Sequence, residues 1–440
     1  MPVNDVDRRT FLKAALTGAA ALALSRGVWG ATDTPRKPNI LLIMADDLGY
    51  ECLGAYGGTS YRTPNLDKLA AAGVRFDHCY SQPLCTPTRV QLMTGMYNVR
   101  NYTEFGALDP GQTTFAQLLK KAGYATCVVG KWQLAGGADA PRHFGFDEHC
   151  LWFLTRKSAH YPNPGLEING KFVKYTNGEY GPDVLCDYAC DFMQRHQDKP
   201  FCLYYPMLLP HCPFEPTPDS ADWDAKSKGS PTYKGDPKYF GDMVAYMDKT
   251  VGKVFAKLDA LGLRDNTLVI FTADNGTDEP VVSKMGDRKI AGAKGRTTDA
   301  GTHVPLIARY SASGARGGVC SDLVDSSDIL PTICQFAGVT VPSELTIDGQ
   351  SFLPQIRGEK AKPREWIYCW YVRRDLKLRE CVRNHRFKLY RDGRFFEVAT
   401  DPLEQSPLAE SALSDEGRAA RAMLQGVLDT YANVRHPSAK

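Results

Sequence analysis

The chain has 440 residues, of which 43% are hydrophobic and 23% charged, and its formal net charge is +3. This length predicts a large domain followed by a smaller one, and so weak a net charge argues against a nucleic-acid partner. The 13 cysteines lack C-x-x-C spacing, which argues against a zinc ribbon; those other than Cys85 are equally compatible with disulfides and with free thiols. No run of 18 apolar residues occurs, so no stable membrane span is predicted.

Residues 1–31 have the features of a twin-arginine signal peptide. The pair Arg8-Arg9 precedes an F-L-K triplet and a mildly apolar run over 14–24, with small residues near position 30. This pattern predicts export by the twin-arginine translocase, which carries folded proteins, and hence a periplasmic or secreted location. The alternative interpretation of the segment is a short amphipathic helix.

Apolar runs alternate with amphipathic segments from residue 38 to residue 336. The predicted strands cover 38–45, 124–129, 201–206, 267–272 and 304–310. The predicted helices cover 65–72, 88–93, 114–122, 239–261 and 328–336. This alternation predicts an α/β domain over residues 36–358, with a large, mainly parallel sheet flanked by helices. The polar stretch over 156–183 has weak periodicity and is predicted to be a long surface insertion.

The pattern changes after Gly358. Short predicted strands cover 366–372, 380–382, 387–390 and 395–398, and a closing helix covers 411–431. These elements predict a small α+β subdomain with an antiparallel sheet over residues 364–440.

The most informative motif is C-x-P-x-R-x4-T-G, which begins at Cys85 and ends at Gly95. Pro87 has a fixed φ and no N–H, so it suits the first turn of a helix. Cys85 is therefore expected just before a helix N-terminus, where backbone N–H groups favour an anion. Arg89 lies four residues later on the same face. The motif thus predicts a nucleophile beside a fixed cation, an arrangement suited to an anionic substrate.

Carboxylates and an amide follow two of the predicted strands. Asp46 and Asp47 follow the first strand, and Asp274 and Asn275 follow the strand over 267–272. Ligands collect at the carboxyl ends of strands in open parallel sheets, and oxygen side chains there suit a hard divalent cation such as Ca²⁺ or Mg²⁺. A single aspartate at such a position is more often a turn former; two pairs together favour a cation site.

Three further residues extend this predicted site. Lys131 and His211 each follow a predicted strand, at the same edge of the sheet as the carboxylates, and Lys294 lies in a G-A-K-G segment. Taken alone, a lysine is usually solvated and a histidine usually structural. The position of Lys131 and His211 at the ends of strands favours a role for both in the same site as the carboxylates.

Together these motifs resemble those of the type I sulfatases, a family of the alkaline phosphatase superfamily. The similarity covers nearly the whole chain after the signal segment. It implies that Cys85 is oxidised to formylglycine by a formylglycine-generating enzyme and that the hydrated aldehyde attacks sulfur. It also implies a set of Ca²⁺ ligands, which are Asp46, Asp47, Asp274, Asn275 and the modified Cys85. Arg89 supports the nucleophile in this family, and Lys131, His211 and Lys294 contact the sulfate; His211 and Lys294 are candidates for protonating the leaving oxygen.

The chain departs from the family pattern at two places. Gln133 replaces the usual histidine of G-K-W-H-L-G, and the usual E-G-G-x-R-V-P segment contains His303. Glutamine forms hydrogen bonds but is not a base near neutral pH. Three explanations stay open: His303 or another histidine such as His160 compensates, turnover is slow, or the substrate differs. Gln133 and His303 are therefore candidate substrate-binding residues.

The resemblance implies an exported enzyme that hydrolyses a sulfate ester to an alcohol and inorganic sulfate, with a sulfated small molecule or polysaccharide as substrate. One alternative is a phosphate or phosphonate ester hydrolase of the same superfamily. The other is a non-catalytic binder of sulfated glycans. Six basic residues are further candidates for specificity, although each is more typical of a plain surface charge: Arg156, Lys157, His160, Arg373, Arg374 and Lys377.

Overall fold

A ten-stranded mixed sheet forms the centre of the fold. The computed structural model describes residues 36–156, 158–314, 317–372 and 377–435. The predicted signal peptide lies outside these residues, as do Lys157, Arg373 and Arg374. All the elements described below belong to one unit, Pro38–Lys440.

The order of strands in the sheet places β1 near its centre. From one edge to the other, the strands are β12 (Gly318–Asp325), β2 (Val74–Tyr80), β11 (His303–Arg309), β8 (Thr267–Ala273), β1 (Asn39–Ala45), β7 (Phe201–Pro206), β3 (Ala125–Lys131), β4 (Glu148–Trp152), β5 (Gly165–Ile168) and β6 (Lys171–Lys174). The neighbours from β8 to β4 are all parallel, whereas β11 is antiparallel to both of its neighbours and β5 is antiparallel to β4 and β6. The predicted mainly parallel sheet is confirmed.

Helices cover the sheet and complete the main hydrophobic core. They are α1 (Pro64–Ala72), α2 (Cys85–Thr94), α3 (Asn98–Asn101), α4 (Phe115–Lys121), α5 (Ala140–His143), α6 (Gly181–Arg195), α7 (Phe240–Ala260), α8 (Asp299–Thr302), α9 (Ile329–Phe336), α10 (Leu353–Ile356) and α11 (Asp415–Tyr431). Helix α7 packs against α1 and α6, and α9 packs against α2 and α4. All seven residues of β1 and of β8 are buried, as expected for central strands covered on both faces.

The structure corrects the expectation for residues 156–183. This stretch is not a surface insertion: it contains β5 and β6, which extend the main sheet to its edge, and the start of α6. Strands β2, β4 and β12 were also not predicted. A two-stranded sheet formed by β9 (Val282–Met285) and β10 (Arg288–Ala291) lies outside the main sheet.

The predicted antiparallel sheet near the C-terminus is confirmed. It has four strands, β13 (Ile367–Val372), β14 (Leu378–Arg383), β15 (Lys388–Tyr390) and β16 (Phe395–Phe396), in that order. Helix α11 packs on it, beginning after Ser414, whose hydroxyl accepts a hydrogen bond from the N–H of Gly417. Tyr97 and Tyr102, at the ends of α3, belong to the same hydrophobic cluster as the side chains of β13. The boundary between residues 358 and 364 stays a prediction.

Two glycines shape the region where the strands end. Gly95 ends α2 with a φ of 69°, a left-handed conformation that glycine adopts without strain. Gly130 precedes Lys131 in β3, and a Cβ there would lie 1.8 Å from the carbonyl oxygen of Pro206 in β7. Only glycine lets these two strands approach so closely. Among the described residues, no helix is long and apolar enough to cross a membrane.

Candidate active site

Cys85 lies at the N-terminus of a wholly buried helix. It is the first residue of α2, all ten residues of that helix are buried, and Cys85 itself is 2% exposed. The sequence predicted that the helix would start after Cys85, and the structure corrects this by placing Cys85 in its first turn. Burial raises the pKa of the thiol. The unmodified thiol is therefore a poor nucleophile in this environment.

A cavity of about 840 Å³ opens next to Cys85. Four of the other predicted site residues line it: Lys131, Gln133, His211 and Lys294. These residues come from β3, the loop after β3, the loop after β7 and the loop before α8. The structure thus brings together groups that are up to 209 positions apart, Cys85 and Lys294, around one space.

The predicted metal ligands form a connected group beneath this cavity. Asp46 and Asp47 follow β1, and Asp274 and Asn275 follow β8; none is more than 1% exposed. The N–H of Asp47 donates to Asp274 Oδ1 over 3.1 Å, and Asn275 Nδ2 donates to Asp47 Oδ1 over 2.8 Å. Asp47 has a φ of 63°, which turns the chain sharply at the end of β1.

This group has the chemistry of a divalent-cation site. Ligand atoms of Asp46, Asp47 and His211 all lie within 4.8 Å of one another. Within the described part of the chain, Asp46 Oδ1 and Asn275 Oδ1 are buried without a hydrogen-bond partner. Buried oxygens that lack partners are costly, and a hard cation would satisfy them. His211 was predicted to contact substrate, and the structure places it in the potential ligand group as well.

Asp274 is held differently from the other carboxylates. Its Oδ2 accepts a hydrogen bond from Arg89 over 2.8 Å, and its Oδ1 accepts the bond from Asp47. Burial, followed by repulsion from Asp46, raises the pKa of Asp274 to about 6. Asp46 and Asp274 both lie within 4 Å of the Arg89 guanidinium, and a bound cation would offset the repulsion between these two carboxylates.

Three cations lie against these carboxylates. Lys131 Nζ is 2.6 Å from Asp46 Oδ2, and Lys294 Nζ is 2.5 Å from Asp47 Oδ2. Arg89 is 1% exposed and also donates to the carbonyl oxygen of Lys131 over 2.9 Å. The guanidinium therefore links α2 to the ends of β3 and β8.

Charge pairing fixes the protonation states of the site. Burial alone would lower the pKa of Lys294, but Asp47 raises it well above its usual value. Burial would raise the pKa of Asp47, but the neighbouring cationic groups, Lys294 foremost, hold it well below its usual range. Lys294 is therefore an ammonium and Asp47 a carboxylate at neutral pH.

His211 is neutral and oriented by its own backbone neighbour. Burial, followed by the charges of Lys294 and Lys131, lowers the pKa of His211 well below 6.5. Its Nδ1 contacts the carbonyl oxygen of Cys212, and because a carbonyl only accepts, Nδ1 carries the hydrogen. The unprotonated Nε2 then faces Asp47 Oδ2 at 3.6 Å. A ring in this tautomer can ligate a metal or accept a hydrogen bond.

The two departures from the family pattern have different positions. Gln133 lines the cavity with a φ of 52°, and its Oε1 is buried without a hydrogen-bond partner among the described residues. His303 does not line the cavity. Its ring stacks on Tyr50 with centroids 3.9 Å apart, and its Nε2 lies 2.8 Å from the carbonyl oxygen of Asp77. The structure therefore gives no support to His303 as a substrate-binding residue.

Of the basic specificity candidates that the structure describes, only His160 lines the cavity. Its ring stacks on that of His211 at a centroid distance of 5.5 Å. The guanidinium of Arg156 lies over Phe172 instead, and Lys377 is exposed. Sequence reasoning missed several lining residues because they lie outside the elements predicted from the sequence: Phe105, Trp152, Phe153, Glu215 and Tyr233.

A buried helix N-terminus, a carboxylate cluster and converging cations on an α/β sheet form a site suited to an anionic substrate. The family model "Sulfatase" matches residues 38–339, and the model "N-sulphoglucosamine sulphohydrolase, C-terminal" matches residues 294–416. The chain therefore belongs to the sulfatase family and is a hydrolase of sulfuric ester bonds.

Individual relatives support this assignment. The chain is 34% identical over 383 residues to arylsulfatase A of Bos taurus, covering 79% of this chain and 72% of that protein. It is 32% identical over 395 residues to N-acetylgalactosamine-6-sulfatase of Canis lupus familiaris, covering 81% and 73%. A crystal structure of Ps i-CgsB in complex with k-i-k-neocarrahexaose is similar with a TM-score of 0.75 at 26% identity, covering 92% of this chain and 94% of that one.

Proposed function

We propose that this enzyme removes a sulfate ester from a sulfated carbohydrate, with formylglycine at position 85 and a bound Ca²⁺ ion. The observation that carries the proposal is the convergence of Cys85, Lys131 and Lys294 on one cavity beside buried carboxylates. A carbohydrate is favoured because one relative is named N-acetylgalactosamine-6-sulfatase and one structural neighbour was solved in complex with k-i-k-neocarrahexaose. Aromatic rings in the cavity wall suit the apolar face of a sugar ring.

Lys131 and Lys294 bind the sulfuryl oxygens in this proposal. Both ammonium groups line the cavity, and each is already held by a carboxylate, so their positions are fixed before substrate binds. Preorganised charges of this kind stabilise the negative charge that builds up on the sulfuryl oxygens in the transition state. The low exposure of Lys131, 3%, keeps water from competing.

Lys294 is the better candidate for protonating the leaving oxygen. It lines the cavity as an ammonium and has hydrogens to donate, although its raised pKa makes it a weak acid. His211 also lines the cavity, but with Nδ1–H turned towards Cys212, its Nε2 has no hydrogen to give. His211 instead accepts a hydrogen bond or binds the cation.

Two groups complete this site. Formylglycine at position 85, once hydrated, supplies the oxygen nucleophile for attack on sulfur. A Ca²⁺ ion, for which Mg²⁺ is the alternative, would supply positive charge that offsets the charge of the sulfuryl oxygens, and it would be held by Asp46, Asp47, Asn275 and His211, with Asp274 beside them. Arg89 positions this region, since it ties Asp274 to the helix that carries Cys85.

The burial of α2 bears on how the enzyme matures. A modifying enzyme cannot reach Cys85 in the folded chain, where the thiol is 2% exposed. Oxidation by a formylglycine-generating enzyme would therefore precede folding. Export of an already folded protein to the periplasm by the twin-arginine translocase is compatible with that order of events.

The test is a panel of substrates assayed on one preparation. Enzyme co-expressed with a formylglycine-generating enzyme should release sulfate from a subset of sulfated monosaccharides and oligosaccharides, and only slowly release phosphate from 4-nitrophenyl phosphate or its phosphonate analogue. Faster hydrolysis of the phosphorus esters would favour the alternative hydrolase. Binding of sulfated glycans without any release of sulfate would favour a non-catalytic binder.

A further inference from the structure

We propose that Glu215 determines specificity by accepting a hydrogen bond from a hydroxyl group of the sugar, and that it disfavours sugars with a second sulfate close to the reacting one. The proposal rests on the proposed function, since it concerns the leaving group of the same reaction. Glu215 is an acidic residue in a cavity otherwise suited to an anion, and the chemistry of sulfate hydrolysis described above has no use for it.

The position of Glu215 places it within reach of the substrate. It follows His211 by four residues in the loop after β7 and lines the same cavity as Cys85 and Lys294. Its side chain is 7% exposed. One carboxylate oxygen, Oε1, accepts a hydrogen bond from the backbone N–H of Ser230 over 2.6 Å.

The carboxylate is not neutralised by the protein. No lysine or arginine in the described ranges forms an ion pair with Glu215, in contrast to Asp46 and Asp47. Lys228 also lines the cavity, but its side chain is exposed and solvated. Burial raises the pKa of Glu215, and the Ser230 N–H opposes that shift. A hydroxyl both donates and accepts, so it suits this carboxyl group in either protonation state.

The cavity therefore has two unlike walls. Lys131 and Lys294 provide positive charge for the sulfate being removed, and Glu215 provides a buried acceptor elsewhere in the same space. A neutral, hydroxyl-bearing sugar ring would suit Glu215, because a sugar that fills the cavity displaces water from the carboxylate and a hydroxyl replaces the lost donor. A second sulfate or a carboxylate beside Glu215 would be repelled in this poorly solvated position. The chemistry favours monosulfated, otherwise neutral sugars.

The variant Glu215→Gln tests this directly, because its amide oxygen can still accept the Ser230 hydrogen bond while the charge is lost. The matched control is Glu167→Gln, since Glu167 is also buried, accepts a hydrogen bond from the N–H of Thr155 over 2.6 Å, and does not line the cavity. Both variants are assayed as kcat/KM on 4-nitrophenyl sulfate, which lacks sugar hydroxyls, on the 6-sulfates of galactose, glucose and N-acetylgalactosamine, and on N-acetylgalactosamine 4,6-disulfate.

We expect Glu215→Gln to lower kcat/KM on the best monosulfated sugar about 3-fold or more, because the amide still forms a hydrogen bond with the hydroxyl but lacks the extra strength that a charged acceptor gives. Its kcat/KM on 4-nitrophenyl sulfate should stay within about two-fold of the wild type, and its preference for the disulfate should rise. Equal losses on both substrates, or no loss on the sugar, overturn the proposal. If the wild type hydrolyses 4-nitrophenyl sulfate but none of the sugars, the role of Glu215 and the carbohydrate assignment both fail. If it hydrolyses no sulfate ester at all, the proposed function itself fails.

Discussion

The Nζ atom of Lys294 lies 2.5 Å from Oδ2 of Asp47, so a predicted sulfate-binding cation and a predicted metal ligand share one contact. Asp47 also accepts a hydrogen bond from Asn275 through its other oxygen. One buried carboxylate thus connects the part of the site suited to a metal ion with the part suited to sulfate. Substitution of Asp47 should therefore affect both metal binding and sulfate binding.

The first prediction concerns this carboxylate. Asp47→Asn keeps the shape of the side chain but removes an anionic ligand, so Ca²⁺ affinity should fall by at least the roughly 100-fold seen when metal-site partners are lost. Calorimetric titration of the purified, metal-depleted enzyme with Ca²⁺ measures it. The control is Asp248→Asn: Asp248 is buried but accepts hydrogen bonds from the N–H groups of Asn65 and Leu66. The Asp248 variant should lose stability and keep its Ca²⁺ affinity. Unchanged Ca²⁺ affinity in Asp47→Asn would show that Asp47 is not a ligand of the cation.

The second prediction concerns the nucleophile. Cys85→Ala should lower the rate of sulfate release on the order of 10⁴-fold or more, because removing a nucleophile leaves only binding and electrostatics. Ion chromatography of released sulfate measures the loss, and peptide mass spectrometry should show an aldehyde at position 85 in the wild type. Because Cys85 is a small buried group, its loss should leave the fold intact, which circular dichroism checks. Sulfate release that persists in Cys85→Ala would show that the nucleophile has been assigned to the wrong residue.

The third prediction concerns export. Replacing both Arg8 and Arg9 with lysine should hold the full-length precursor in the cytoplasm, because the twin-arginine pathway requires the pair. Fractionation of cells followed by immunoblotting measures the distribution. A matched change at Lys13→Arg keeps the charge and should leave export unchanged. Normal export of the double variant would instead point to the general secretory route.

The sequence was sufficient to predict the centre of the fold and most of the site for a physical reason. Strands β1 and β8 are buried on both faces, so each is a mostly apolar run, and each is followed at once by two polar residues. Parallel strands bring those ends to one edge. The order of apolar and polar residues along the chain is therefore enough to predict that Asp46 and Asp274 lie together.

The rest of the fold carries weaker signals. The burial of residues along strand β2 does not alternate regularly, and β5 and β6, at one end of the sheet, have only four residues each, too few for a clear period. The cavity wall that holds Glu215 and Tyr233 belongs to the long segment between β7 and α7, whose path is set by tertiary packing. For His303 the sequence suggested too much. Its position in the segment that replaces the usual E-G-G-x-R-V-P pattern predicted a role in substrate binding, but its ring stacks on Tyr50.

The fourth prediction concerns stability and pH. Asp299 forms an ion pair with Arg383 of β14, and both side chains are largely buried. Burial alone would raise the pKa of Asp299, but Arg383 and His303 hold it well below its usual value of 3.8. Because the folded-state pKa is lowered, the pair stabilises the fold above the unfolded-state pKa, and that contribution is lost as pH falls from there towards the folded-state value.

Asp299→Asn should therefore lower the free energy of unfolding by about 3 kcal/mol at pH 7, since it leaves Arg383 buried without its partner. The difference from the wild type should be constant down to about pH 5 and shrink as pH approaches 3. Urea unfolding at several pH values, monitored by tryptophan fluorescence, measures the loss of stability and its dependence on pH. The exposed pair Arg394–Asp392 offers a control: Asp392→Asn should change stability by less than about 1 kcal/mol. A difference that grows on acidification would contradict the assignment.

The last prediction concerns Gln133, which lines the cavity at a position where the family pattern has a histidine. Glutamine cannot take up a proton near neutral pH, so the step that frees sulfate should be slower than the step that releases the alcohol. Rapid mixing with 4-nitrophenyl sulfate should then show a burst of 4-nitrophenol followed by a slower steady rate. Gln133→His should speed the slow phase about 10-fold or more, as a positioned base commonly does. Histidine also tolerates the left-handed backbone found at this position, where φ is 52°.

Gln335→His, on the exposed face of α9 and away from the cavity, is the control and should leave both phases unchanged. If the wild type shows a single phase and Gln133→His has no effect, sulfate release does not limit turnover. In that case His160→Ala should lower activity far more than Gln133→Ala. The reason is that His160, among the described residues, is the imidazole that lines the cavity beside His211.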